Sequence, residues 1–124
     1  MTANPTIALL LAAVAAPAFA RVAPVPVATP TGRPISCLRV TDIRESRVRS
    51  DQVIDFYMRT RGQVYRNMLP NSCPRLGFEQ AFSYRVTTGQ LCSVDIIRVF
   101  DRTLRGPSGA CGLGEFQPVT VAGR

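Results

Sequence analysis

From Ser46 onward, apolar and polar residues alternate with a period of two, and no long stretch carries a helical stripe. Phe82-Ser83-Tyr84-Arg85-Val86-Thr87 sends three apolar side chains one way and three polar ones the other. In Gln52 to Arg59, Ile54, Phe56 and Met58 share one face, while Val53, Asp55, Tyr57 and Arg59 share the opposite one. Burying three such side chains contributes several kcal/mol at roughly 25 cal/mol per Å² of apolar surface, so the Ile54 face should turn inward. Thr60-Arg61-Gly62 reads as a turn with Gly62 free to take positive φ, and Gln63 to Leu69 returns as the partner strand of a hairpin. Leu91 to Phe100 predicts one central strand, apolar on both faces apart from Asp95 and Arg98. Arg105-Gly106-Pro107-Ser108-Gly109 predicts a loop, and Cys111 to Val119 a short last strand. About five to seven short strands with Gly/Pro turns imply an all-β domain, a small antiparallel barrel or a sandwich.

Upstream of this pattern the chain changes character. The apolar stretch Ile7 to Ala16, Pro17 and the small-x-small sequence Ala18-Phe19-Ala20 read as a signal peptide over residues 1–20, cleaved near Ala20. The apolar stretch is shorter than the roughly 18 residues of a membrane span, so no transmembrane segment is expected after cleavage. Residues 21–34 hold Pro24, Pro26, Pro30 and Pro34 and predict a disordered, extended tether. One folded domain is expected over 35–121, with a tail at 122–124. These features place the mature protein in the periplasm or outside the cell.

That compartment determines how the four cysteines are read. Cys37, Cys73, Cys92 and Cys111 include no C-x-x-C pair, and the chain has no histidine, so neither a zinc ribbon nor a thiol nucleophile with its base is indicated. Two disulfides bracing a small core are expected instead. Three connectivities are open. Cys37–Cys73 with Cys92–Cys111 is favoured because each bridge then closes a moderate loop.

Charge narrows the candidate chemistry. All fifteen basic residues are arginine, and residues 35–124 carry thirteen of them against eight acids, a net +5. A basic surface favours anionic partners. Arg59, Arg61 and Arg66 cluster about the predicted hairpin turn with Tyr57 and Tyr65, while Arg44, Arg47 and Arg49 flank the preceding strand. Guanidinium groups beside aromatic rings grip phosphate or carboxylate, which makes Tyr57, Arg59, Arg61, Tyr65 and Arg66 the candidate binding patch. Asp51, Asp55 and Asp95 are the acids a hydrolase would draw on, but no paired-carboxylate, Ser/His/Asp, P-loop or metal pattern surrounds them. Asp95 is read as a structural acid, paired with arginine or accepting backbone N–H groups.

Motifs in the same region carry a resemblance. The run 56–99 with Cys-Gly-Leu-Gly-Glu-Phe at 111–116 resembles an uncharacterised family of small exported proteins of Gram-negative proteobacteria, a domain of unknown function. The matching features are the isolated Cys37, a Cys-Pro-x-Leu segment at Cys73 to Leu76, a Leu-Cys-x-x-Asp segment at Leu91 to Asp95, and Cys-x-Leu-Gly-x-Phe at Cys111 to Phe116. The resemblance implies a shared fold and an envelope location, and no activity. The expectation is a non-enzymatic binding domain without metal or cofactor, holding an anionic surface or an envelope protein. An inhibitor or accessory of another exported enzyme is the alternative. Export makes nucleic acid a poor physiological target.

Overall fold

The structure, a computed structural model, describes residues 3–6, 8–15, 24–103 and 106–123. Its elements are β1 (Ala28–Pro30), β2 (Cys37–Arg39), a 3-10 turn (Val40–Asp42), β3 (Ile43–Val48), β4 (Val53–Met58), β5 (Val64–Met68), the one-turn helix α1 (Leu76–Glu79), β6 (Phe82–Tyr84), β7 (Gln90–Cys92), β8 (Ile96–Asp101), β9 (Gly106–Gly112) and β10 (Phe116–Val121). One layer is a five-stranded antiparallel sheet ordered β1-β10-β5-β4-β3. Facing it are the three-stranded sheet β6-β8-β9 and the two-stranded ladder β2-β7. The sheets do not close, so the fold is sandwich-like rather than a barrel.

The alternation in β4 explains the layering. Ile54, Phe56 and Met58 point into one core with Leu38, Leu76, Leu91, Ile97, Val99 and Phe116. The Phe56 ring joins the two layers, meeting Phe116 at 5.5 Å and Phe82 at 6.3 Å between centroids, both edge to face. The β4–β5 hairpin turns at Gly62, whose φ of 78° lies in the left-handed region.

The expected last strand, Cys111 to Val119, divides between the end of β9 and β10, which starts at Phe116, and three further expectations change. Leu91 to Phe100 is two strands, β7 and β8, separated by a turn at Ser93 and Val94. There the Asp95 carboxylate accepts the Cys92 N–H at 2.6 Å, and the Asp95 N–H donates to the Cys92 carbonyl at 2.9 Å. A short acidic side chain competing for the backbone ends the ladder where hydrophobicity alone would have continued it. The predicted loop 105–109 instead falls largely within β9, paired with β8 from Ile96–Gly112 to Asp101–Gly106; Arg105 lies outside the described residues. Glycine weakens a strand, but the buried Ile97 and Val99 of β8 favour a paired neighbour, and an edge position tolerates Pro107. Finally, the proline-rich segment is not all tether. Ala28–Pro30 pairs with Val119–Val121, Thr31 donates to the Pro118 carbonyl at 2.9 Å, and Ile35 bridges to Phe116, so the folded unit begins before Ile35.

The disulfides also differ from the favoured pairing. They join Cys37 to Cys92 and Cys73 to Cys111. Cys37 and Cys92 are directly opposite one another in the β2–β7 ladder, and this register, invisible to loop-length reasoning, selects the partner. Cys73, fully buried before α1, ties that corner to β9.

Where β9 returns to β10, buried Asn67 exchanges two hydrogen bonds with Gly114, donating to its carbonyl at 2.7 Å and accepting its N–H at 2.8 Å. A Cβ on Gly114 would collide with the Met68 carbonyl oxygen. Gly114→Ala is therefore expected to cost about 2–3 kcal/mol, as overpacking against fixed backbone does, and to lower the thermal midpoint measured by circular dichroism.

Candidate functional site

The register of β3, β4 and β5 places the polar residues of the first layer on its outer face. Asp55 is the cross-strand partner of both Arg47 and Arg66, and Tyr57 is the partner of Glu45 and Val64. Asp55 is fully buried, and two guanidiniums hold it: Arg66 through Nε at 2.8 Å to Oδ1 and a second nitrogen at 3.0 Å to Oδ2, and Arg49 through Nε at 3.0 Å to Oδ2. A second nitrogen of Arg49 donates to the Tyr57 hydroxyl at 2.8 Å, and the Arg47 guanidinium lies 4.4 Å from the centre of the Tyr57 ring. Tyr57 is thereby fixed at its hydroxyl and over its face.

Beside this clamp opens a groove of about 580 Å³, lined by Arg44, Arg47, Tyr57, Arg59, Arg61 and Gln63 with Val64 and Val121 among its apolar wall. Four arginines line it. Arg44 and Arg47 share one carboxylate, that of Glu45, at 3.2 and 3.0 Å. Arg59 donates through Nε to the Thr41 carbonyl at 2.8 Å, and Arg61 has no partner among the described residues. The groove is strongly positive and backed by the fixed Tyr57 ring.

The candidate patch therefore divides. Tyr57, Arg59 and Arg61 line the groove. Arg66 does not; it is turned onto Asp55. Tyr65, the partner of Phe56 across the ladder, lies on the other face of the sheet, packed against the core with its hydroxyl accepting from Gln63 at 2.6 Å. A one-residue step along a strand reverses the face, so sequence proximity of Tyr65 and Arg66 to the turn does not bring both to one site. Arg44 and Arg47 complete the groove instead; the signal was the antiparallel pairing of their strand with β4.

The other acids are engaged within the fold. Asp51 accepts the Gly77 N–H at 2.7 Å, and Asp95 is half-buried on the Cys92 N–H. Around α1, Arg75 pairs with buried Glu79 at 2.9 Å and lies 3.8 Å from Asp101. The Glu79 hydrogen bond, then the charge of Asp101, hold the Arg75 guanidinium above its ordinary pKa. Among the described residues, no group of three or more cysteine or acidic side chains is placed to hold a metal ion. Comparison with models of known families, with curated proteins and with solved structures finds no match to this chain.

Proposed function

We propose that the chain is an exported, non-enzymatic binding domain that holds an anionic component of the cell envelope in the Arg44–Arg47–Arg59–Arg61 groove, as a member of the small exported proteins that its motifs resemble. Four arginines lining one groove, beside the single carboxylate of Glu45, carry this reading. Planar, weakly hydrated guanidiniums bind phosphate and carboxylate oxygens in pairs, and a fixed Tyr57 ring beside them offers an apolar contact for the rest of a ligand.

Export is supported by two features. Leu9, Leu10 and Leu11 are 83–93 % exposed and belong to no core. Both cysteine pairs are oxidised, as suits an oxidising compartment. The Ala18-Phe19-Ala20 cleavage signature lies outside the described residues. Periplasmic or secreted residence is the location proposed, and N-terminal sequencing of the envelope fraction would read a start at Arg21.

Co-sedimentation tests the groove. The mature protein should bind vesicles containing phosphatidylglycerol, lipopolysaccharide or peptidoglycan, with binding falling as salt shortens the screening length below about 10 Å. Arg44→Glu with Arg59→Glu and Arg61→Glu should weaken retention by about tenfold or more, the equivalent of about 1.4 kcal/mol or more. Arg66 is left intact because its reversal would disrupt Asp55 rather than the groove. Unchanged retention in the triple variant would sink the assignment.

A further inference from the structure

The opposite layer carries a second surface of different chemistry. On β8, inward residues alternate with exposed ones, and Ile96, Arg98 and Phe100 face outward. Ile96 is 56 % and Phe100 39 % exposed, and Val94 in the adjoining turn is 86 % exposed. A wide depression of about 860 Å³ runs over these side chains with Ser83, Arg85 and Gly106 at its margin. Its one acid, Asp95, is taken up by the Cys92 N–H, and neither Arg85 nor Arg98 has a carboxylate partner among the described residues.

Beside this face lies an open sheet edge. β9 is the outer strand of β6-β8-β9, and no hydrogen bond from outside the sheet reaches Ser108–Gly112 among the described residues. Edge strands are commonly shielded by charge or bulges; the one register shift in β9 falls at Ser108, and beyond it Gly109, Ala110, Cys111 and Gly112 carry no charge. The outward neighbours of Arg98 and Ile96 in the ladder are Ala110 and Gly112, which are too small to cover them. The Cys73–Cys111 disulfide pins the same strand to the buried corner, so the edge is held in place before any partner arrives.

We infer that the β9 edge accepts an extended segment of another polypeptide as an added strand, with apolar, acidic, apolar side chains at alternate positions on its outer face. Main-chain hydrogen bonds to Gly109–Gly112 supply the attachment. The added strand lies about 10 Å from β8, two strand spacings away, so its longer side chains lean over Ala110 and Gly112 to reach Ile96, Arg98 and Phe100. Their order along β8, apolar, basic, apolar, dictates the complementary order in the partner. Charge disfavours a second copy of this net-positive chain as the occupant and favours an acidic one. This surface is independent of the arginine groove and fits an accessory role toward another exported protein.

The acetylated heptapeptide Thr-Leu-Thr-Glu-Thr-Leu-Thr, labelled for fluorescence anisotropy, tests the proposal on the mature protein. It should bind and slow amide exchange at Gly109 to Gly112. N-methylation of both the glutamate and the threonine after it should weaken binding by about tenfold at unchanged charge, since adjacent amides face opposite edges and one of the two is a ladder donor. Arg98→Glu should lose the peptide by a similar factor and gain the version with lysine in place of glutamate. The Arg44/Arg59/Arg61 charge-reversal variant should bind the peptide normally, which separates failure here from failure of the groove. Equal binding of the N-methylated peptide, no exchange in specificity at Arg98→Glu, or no binding at all would overturn the proposal. So would self-association in sedimentation that Ala110→Glu abolishes and the peptide does not compete with, because the occupant would then be a second copy.

Discussion

Asp55→Ala is expected to lower the free energy of unfolding by about 3–5 kcal/mol, read as a shift in the urea midpoint at unchanged slope. The carboxylate is fully buried, and the arginines that hold it retain only 16 % and 11 % side-chain exposure. Removing the acid leaves two confined positive charges facing each other across a vacated site. Arg49 also loses the partner that aims it at the Tyr57 hydroxyl, so the rigid wall of the groove should loosen as well. The converse experiment is informative. Replacing Asp55, Arg49 and Arg66 together by apolar residues of similar volume should recover most of the loss, because the cost lies in orphaned charge rather than in missing attraction. A single Asp55→Ala variant within about 0.5 kcal/mol of the parent, the range of ordinary surface changes, would show that the clamp is not confined as described.

Removing either disulfide should be of comparable size. The bridges span 55 and 38 residues, for which the chain-entropy relation gives about 4 kcal/mol each. Small domains have roughly 5–15 kcal/mol in total, so the Cys73→Ala/Cys111→Ala variant should be largely unfolded at physiological temperature. Cys37→Ala/Cys92→Ala should fare somewhat better, since β2 and β7 remain paired and Leu38 and Leu91 still pack in the core. Loss of near-ultraviolet circular dichroism on heating measures both. Digestion without reduction should return Cys37 with Cys92 and Cys73 with Cys111, and recovery of Cys37 with Cys73 would refute the pairing. A melting temperature unmoved by full reduction would show that the core stands without its braces.

What the sequence disclosed was whatever depends on neighbours along the strand. Alternation in Ile54, Phe56 and Met58 identified the buried face, and Gly62 marked its hairpin, because side-chain direction and turn geometry are local properties. Register is not local. The opposition of Cys37 to Cys92, of Asp55 to Arg66 and of Asn67 to Phe116 brings together residues far apart in the chain or on different strands, and no spacing rule encodes it. The candidate patch failed in part for the same reason. Tyr65 and Arg66 are adjacent in the chain, yet the pleat sends them to opposite faces. Strand formation in Gly106–Gly112 was hidden because its residues are poor strand formers, recruited to pair by the apolar β8 beside them.

The order in which the cysteines pair, first with third and second with fourth, has a consequence for durability. The two closed loops overlap, from Cys73 to Cys92. A protease that cuts once anywhere between Cys37 and Cys111 therefore cannot release a fragment: at least one bridge always crosses the cut. Bridges closing consecutive loops would have allowed a nick between Cys73 and Cys92 to separate the halves. For a domain proposed to work outside the cytoplasm, this linkage keeps the two parts of a nicked molecule covalently joined.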